Sequence, residues 1–451
     1  MARRMVNIDR DTPLLLAPSI QDWIADDDMA RLVVDAVSLV GEQEMSFNWN
    51  GTGSEQYPPQ MMLALLIFCY SSGIFSSRRI ELATYRDIAV RFITGDTHPD
   101  HDTIARFRRE NGPLFKACFI RVLELAREMK IKRIGAVAID GTKLEAAASK
   151  KRVRSLEQIQ ERLPKLDELV DELTAQARKA DGEAAGEADG GRLPGHLAQA
   201  TARRGELRRA LAALGEKSRV ESAKRDSERS AHDDEGPGEP PRRLPAEPQA
   251  EDTINLTDPD AKLLPGKKGG CHPGYNAQLA VQADSALPLI LAGAVCDSPS
   301  DRRQLAPMVD LTLERHPETD RVLVDSGYDN SSQIYRLEKR YGVVVYCPPE
   351  ERKEQKEAKP AGRRSKARQR TADFREGMRA CMRGGFGQGV RQLRATTVEP
   401  VIGWIKERMG FRRFHLRGLS KVGLEWDLVC LAFNLSLIHR VKCSAGKVAA
   451  P

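Results

Sequence analysis

Ala136-Val137-Ala138-Ile139-Asp140-Gly141-Thr142-Lys143 is the stretch on which the reading of this chain turns. Four apolar residues run straight into an acid, and glycine follows at once. A short continuous apolar run bounded by a turn signal predicts a strand buried on both faces. The acid is then its last side chain, at the end where a sheet opens to solvent. A carboxylate there serves as a metal ligand or general base, or else as a turn-capping Asp before Gly. Arg321-Val322-Leu323-Val324-Asp325-Ser326-Gly327-Tyr328 repeats the pattern, again an apolar strand ending in Asp with glycine just beyond.

If the two strands are neighbours in a mixed sheet, Asp140 and Asp325 sit side by side, and adjacent carboxylates repel unless a cation lies between them. Hard oxygen ligands suit Mg²⁺ or Mn²⁺. A third acid completes a two-ion site that clamps the attacking and leaving oxygens of a phosphodiester displacement. The candidate is Glu399, in Thr397-Val398-Glu399-Pro400-Val401-Ile402-Gly403-Trp404-Ile405-Lys406-Glu407. Thr396 or Thr397 can cap this helix, with Pro400 in its first turn. Val398, Ile402 and Ile405 recur at helical spacing and face the core. Glu399, Gly403 and Lys406 recur on an adjacent stripe, so that Glu399 reaches metal while Lys406 reaches a phosphate past the small Gly403. The alternative is a first-turn Glu that complements the helix dipole.

Upstream, residues 57 to 130 read as helical. Met61–Tyr70 is an apolar run behind Pro58-Pro59. Leu82, Tyr85, Ile88 and Phe92 mark a second helix, and Asp102 is placed to cap a third, Thr103–Lys130. Arg106, Arg108 and Arg109 near its front make the group similar to a helix-turn-helix; a plain helical bundle with a solvated basic face is the alternative. His98, Asp100, His101 and Asp102 read as turn and capping residues rather than metal ligands.

Between the two Asp-bearing strands, Leu156, Ile159, Leu163, Leu166, Val170 and Leu173 form an alternating three-four seam, which Pro164 limits to a short or kinked helix. A second helical segment from about His196 to Leu214 suggests an antiparallel hairpin. Gly215 to Asp252 is charged and then Pro-rich, which predicts a disordered linker. The domain resumes at Asn255-Leu256-Thr257-Asp258-Pro259-Asp260. Tyr275–Gln282 alternates as a half-buried strand, Leu287–Cys296 is a second, and Asp301–Arg315 is a helix. Ser331–Tyr341 is a helix capped by Asn330, Val343–Tyr346 a last strand, and Leu424–Ile438 an apolar core helix.

The totals agree with a polyanionic partner. Lys and Arg number 71 against 64 acids, a formal +7 with pI near 8.9. Arg352–Arg370 holds nine Lys/Arg and two Glu, +7 in itself, and Arg408, Arg412, Arg413 and Arg417 extend the basic character beyond the presumed third-acid helix. The eight cysteines are scattered without a CxxC pair, the pattern of reduced thiols. No apolar core follows Met1-Ala2-Arg3-Arg4 and no apolar run approaches membrane-spanning length, so a cytoplasmic, nucleoid-associated protein is expected.

With these motifs in place, the chain resembles the bacterial insertion-sequence transposases of the DDE class. The resemblance runs from about residue 40 to 440. It rests on Ala138-Ile139-Asp140-Gly141-Thr142, on Val324-Asp325-Ser326-Gly327-Tyr328, and on Val398-Glu399-Pro400 with six residues separating Glu399 from Lys406. Ser76-Ser77-Arg78-Arg79-Ile80-Glu81 and His98-Pro99-Asp100-His101-Asp102-Thr103-Ile104 are similar to that family's helical leader. Related transposases carry Tyr and Arg seven and four residues before the Glu; Gln392 and Ala395 stand there, with Arg391 and Arg394 as substitutes. Gly384–Gly389 looks looser than a helix lead-in.

The resemblance implies an α/β fold: a ribonuclease H-like mixed sheet with flanking helices, interrupted by a helical insertion after the first strand, plus an all-α N-terminal domain. The expected domains are 1–130 (DNA-binding), 131–150 (first catalytic strand), 151–261 (hairpin insertion and linker), 262–442 (rest of the catalytic domain) and 443–451 (disordered tail). Asp140, Asp325 and Glu399 are expected to hold two Mg²⁺ or Mn²⁺ ions. Lys406, Arg394, Arg106, Arg108, Arg109, Arg363, Arg364, Arg412 and Arg413 are expected to meet double-stranded DNA, both terminal inverted repeats and target. A homo-oligomer, a dimer, would cut and join the ends of its own element, without a membrane partner. The alternatives are a decayed or repurposed DNA-binding protein, and a ribonuclease H-like nuclease that joins no ends.

Overall fold

A computed structural model describes residues 19–41, 44–45, 56–131, 135–182, 192–232, 236–237, 239–266, 269–285, 287–296, 298–349 and 366–448. The chain divides into two compact units, Met1–Arg121 with Leu435–Pro451, and Val122–Asn434.

The first unit is helical: α1 (Met29–Ser38), α2 (Pro59–Ser71), α3 (Ser77–Arg86), α4 (Ile88–Thr94), α5 (His101–Glu110) and the start of α6 (Gly112–Glu128). Pro59 opens α2, where its missing N–H is no loss, and Met62–Tyr70 is buried without a break. A helix apolar on every side belongs inside. The expected second helix is two. Asp87 stops α3 and caps α4 through the Val90 N–H (3.0 Å), and Leu82, Tyr85 and Ile88 are exposed rather than buried. The expected third helix is also two, broken at Asn111 just ahead of Pro113. Asp100, not Asp102, is its cap, accepting from the Asp102 and Thr103 amides. His98 stacks on Tyr85 and His101 pairs with Glu81 at 2.8 Å, so these polar residues fasten the turn.

The second unit is mixed α/β. It comprises β1 (Ala136–Glu145), β2 (Val153–Ser155), α7 (Leu156–Gly182), α8 (Arg192–Ser230), β3 (Thr253–Asn255), β4 (Lys262–Pro265), β5 (Cys271–Gln282) and β6 (Ile290–Cys296). It continues with α9 (Leu305–Arg315), β7 (Arg321–Leu323), α10 (Ser331–Tyr341), β8 (Val344–Tyr346), α11 (Lys366–Cys381), α12 (Gly384–Gly403) and the greater part of α13 (Leu419–Val448). Among the described residues one six-stranded sheet runs β4-β5-β1-β7-β8, with β6 also on β5. β1 is antiparallel to β5 and parallel to β7, and β7 is parallel to β8.

β5 departs from the expected half-buried strand. Pro273–Gln282 is buried throughout, because β1 lies on one edge, β4 and β6 share the other, and Trp426 of α13 reaches its Gln278 carbonyl at 3.0 Å. Asn434 both donates to and accepts from the Ile290 backbone, holding α13 on β6. α13 is long and apolar enough to cross a membrane by length and composition, contrary to expectation, but 72% of its most apolar window is buried. It also continues to Val448, into the stretch expected to be a disordered tail.

β2 and β3 pair antiparallel, so the insertion leaves and re-enters the sheet domain at one place. Leu156, Ile159, Leu207, Ala210, Leu214 and Ile254 form its own core, with Leu163 and Leu166 packed against it. α7 runs on through Pro164, and α8 continues to Ser230, well into the expected linker. Ion pairs on the polar faces (Asp167 with Arg208 at 2.7 Å, Arg152 with Glu206 at 3.0 Å) accompany that length.

Candidate functional site

The register of the parallel pair brings the first two acids together. Ala136, Val137 and Ala138 stand opposite Arg321, Val322 and Leu323, a constant offset of 185 (321 minus 136). Asp140 and Asp325 carry the same offset, two residues beyond the last paired position on each strand. β7 ends there, and Asp325 turns to cap Ser326–Tyr328, accepting from the Gly327 N–H at 2.8 Å. β1 does not end, contrary to expectation. It continues to Glu145 against β5, so Asp140 lies mid-strand and faces the notch left by the shorter β7.

Glu399 reaches the same notch from α12, but not from a first turn. α12 begins at Gly384, through the glycine-rich stretch, so Glu399 and Pro400 sit near its far end. The reading of Glu399 as a first-turn dipole partner is thereby excluded. Pro400 gives no N–H to the preceding turn; Thr396 and Thr397 instead bond carbonyls one turn back. Trp404–Arg408 then widens into a π turn, the kind of bulge that often marks a functional site. The wider turn breaks the expected Glu399-Gly403-Lys406 stripe. Lys406 Nζ donates to the Lys143 carbonyl of β1 at 3.3 Å.

Arg394, expected to contact DNA, is turned inward. Its Nη1 donates to Asp140 Oδ2 at 2.8 Å and its Nη2 lies 3.6 Å from Glu399 Oε1. The Arg394 and Asp140 side chains are 16% and 17% exposed, whereas Glu399 is 61% exposed. Burial pushes the Asp140 carboxyl above its ordinary value; Arg394 pulls it down and the nearby Asp325 pushes it further up. The donor set fits a hard divalent cation: oxygen ligands only, with a carboxyl whose ionisation needs a positive neighbour. Among the described residues no three acidic, His or Cys side chains already form a metal-holding group, and Arg394 supplies the counter-charge.

A polar network missed by the sequence reading backs this notch. Asp301 Oδ1 accepts from Asn276 Nδ2 (2.7 Å) and Gln278 Nε2 (2.8 Å), and the buried Tyr328 donates to Gln278 Oε1. Burial first, then Asp301, Asp140 and Asp325, hold the Tyr328 phenol protonated far above its usual range. The network closes over Gly141: a Cβ there would lie 2.3 Å from Gln278 Nε2 and 2.5 Å from Asp301 Oδ1. Asn276 and Gln278 are two apart in a fully buried strand, hence on one face. That period-two polar pair was the legible signal.

The basic residues part company. Arg106 and Arg109 are exposed on α5. Arg108 is corrected: it is 5% exposed and donates to the Tyr70 hydroxyl (2.8 Å) and the Phe75 carbonyl (2.7 Å), so it holds the helical unit together and meets no phosphate. Arg412 and Arg413 are exposed; Arg412 pairs with Glu407, and Arg413 donates to the Ala146 carbonyl just past β1. Arg363 and Arg364, like most of the basic run, lie outside the described residues.

Comparison with known families gives two matches. Residues 18–110 match a family described as Transposase domain (DUF772), and residues 327–439 match one described as Transposase DDE domain. The second span contains Glu399, Lys406 and Arg394 and begins two residues after Asp325. Neither a curated protein nor a solved structure gives a significant match. A transposase-domain match followed in order by a DDE-domain match supports an insertion-sequence DDE transposase.

Proposed function

We propose that this transposase performs metal-dependent cleavage and strand transfer of double-stranded DNA at the ends of its own insertion sequence, with Asp140, Asp325 and Glu399 as its acidic triad on a ribonuclease H-like sheet. The observation that carries the reading is Arg394, whose guanidinium bridges Asp140 and Glu399 beside the strand end bearing Asp325. Two acids from far-apart segments share one cationic neighbour, with the third, Asp325, close enough to Asp140 to raise its carboxyl, which is what an acidic site of this chemistry needs before a divalent ion is bound. The three carboxylates would hold Mg²⁺ or Mn²⁺, which when bound activates the attacking oxygen and offsets charge on the phosphorus.

The chain's own residues do the positioning. The β1–β7 register sets Asp140 and Asp325 side by side, and the Asn276-Gln278-Asp301 network fixes the backbone beneath Asp140 at Gly141. Arg412 and Arg413, exposed at the end of β1, meet the DNA backbone, as do Arg106 and Arg109 from the helical unit. A dimer would bring two element ends together. The domain roles follow: a helical leader that binds DNA, a sheet domain interrupted by the α7–α8 hairpin, and α12 delivering the third acid.

The test is substitution of each acid. Asp140→Ala, Asp325→Ala and Glu399→Ala are each expected to abolish Mg²⁺-dependent nicking of element ends while end-binding persists. Full nicking by the Asp325 variant would reject the triad. A second reading, DNA binding without cleavage, is favoured by Gln392 and Ala395 standing where related transposases carry Tyr and Arg; it predicts salt-sensitive binding and no nicking by the unaltered protein.

A further inference from the structure

A second charged site lies away from the acidic notch, where α8 of the insertion meets α10 and α11. It is a cavity of about 380 Å³ lined by five arginines, Arg225, Arg302, Arg303, Arg336 and Arg375, against two acids, Glu228 and Glu239, an excess of three positive charges (five minus two). Glu239 is drawn outward to Arg368 at 2.8 Å, and Glu228 lies 3.8 Å from Arg225. The eleven-residue α10 points its N-terminus at this space. Its cap, Asn330, accepts only the Gln333 N–H at 3.3 Å.

Three buried donors there have no acceptor. Ser331 Oγ, on a residue 5% exposed, has no hydrogen-bond partner, and neither have Arg225 Nε and Arg375 Nε. Buried donors are almost always paired, so a hydroxyl and two guanidinium N–H groups around a positive cavity at a helix N-terminus call for an oxyanion with several acceptor oxygens. Some cavity arginines are already engaged: Arg303 with Glu221 at 2.6 Å, Arg302 with the Asp329 carbonyl at 2.7 Å, and Arg375 with Asp329 at 3.4 Å. Glu221 and Asp329 offset two of the three excess charges and leave one (three minus two), while the contacts aim the guanidiniums.

We propose that this cavity binds a single phosphoryl group, and, on the transposase reading above, that a DNA backbone phosphate supplies it. Arg225 lies on the insertion, while Ser331 and Asp329 lie within six residues of Asp325. A phosphate held between them ties the α7–α8 hairpin to the turn carrying the second acid, so DNA itself orders the two elements.

The test uses the full chain and two probes. First, inorganic phosphate is titrated at constant ionic strength against chloride while the unfolding midpoint is read. The unaltered protein is expected to show saturable stabilisation. Arg225→Met and Ser331→Ala are expected to lose it, and Ser331→Ala without a lower midpoint in chloride, since it removes an unpaired donor; a purely structural role would lower that midpoint. Second, affinity for a duplex is measured against salt. Arg375→Met is expected to bind about tenfold more weakly and to reduce the log–log salt slope by about one, the mark of one lost phosphate contact. Phosphate protection with an unchanged DNA slope would overturn DNA as the source and leave a free phosphate or nucleotide. No protection and no slope change would overturn the site. The phosphate arm involves none of the three acids, so its result stands apart from the nicking test.

Discussion

Gly141→Ala places the smallest side chain against the backing of the acidic notch. The added Cβ would stand 2.3 Å from Gln278 Nε2, 2.5 Å from Asp301 Oδ1 and 2.9 Å from Asn276 Oδ1. Ordinary contacts begin about 1 Å further out, so all three atoms must retreat. Asn276 and Gln278 are each 1% exposed, with no solvent to take up lost bonds. The displaced network contains three hydrogen bonds of 2.7–3.0 Å. Overpacking costs about 1–3 kcal/mol and strained polar pairs add about 1 kcal/mol each, so a loss of roughly 2–5 kcal/mol is expected.

The control is Gly403→Ala, where a Cβ meets nothing within 4 Å and the backbone is helical. It should gain about 0.5–1 kcal/mol, as alanine replaces glycine in a helix. Urea unfolding of both variants, followed by a signal from the sheet unit, gives the two shifts. Nicking by the folded Gly141 variant should fall about a hundredfold, as Asp140 is carried out of place. Equal unfolding midpoints for the two variants would refute the steric argument, whatever the nicking shows.

Three further outcomes are expected. Arg108→Met should destabilise the helical unit by about 2–3 kcal/mol, because the Phe75 carbonyl and Tyr70 hydroxyl lose a charged donor; DNA affinity of the folded protein should not change. Burial raises the Asp140 carboxyl, so its contribution to stability is full below the unfolded value of about 4 and is lost as pH rises through the folded value. Asp140→Asn should therefore raise the unfolding midpoint at pH 7, with the gain shrinking toward pH 4, while nicking is lost; a pH-independent shift would contradict this. Glu425 is fully buried and accepts from the His415 and Leu416 amides at 2.8 and 2.9 Å. Glu425→Leu should cost about 2–5 kcal/mol in thermal or urea unfolding as both amides lose their acceptor.

Much of this protein is readable from residue order alone. The buried run Ala136–Ile139 and the turn after Asp325 announce themselves because burial on both faces demands an unbroken apolar stretch, and a chain leaving a sheet demands a turn residue. The α7 seam and the Asn330 cap are equally local, set by spacing within a few residues. Helix ends depart from local signals where tertiary packing outweighs them: α7 runs through Pro164, and α12 runs through a glycine-rich start and over Pro400.

The tertiary structure alone decided what each charge faces. Arg106, Arg108 and Arg109 look alike in sequence, yet one turn of helix sends Arg108 inward to Tyr70 and leaves the other two in solvent. Arg394 lies 254 residues from Asp140, and no local pattern can tell a guanidinium which carboxylate it will meet. Hydrophobic periodicity records only inside or outside, whereas a charge–charge pair depends on strand register and helix placement, which exist only once the chain has folded.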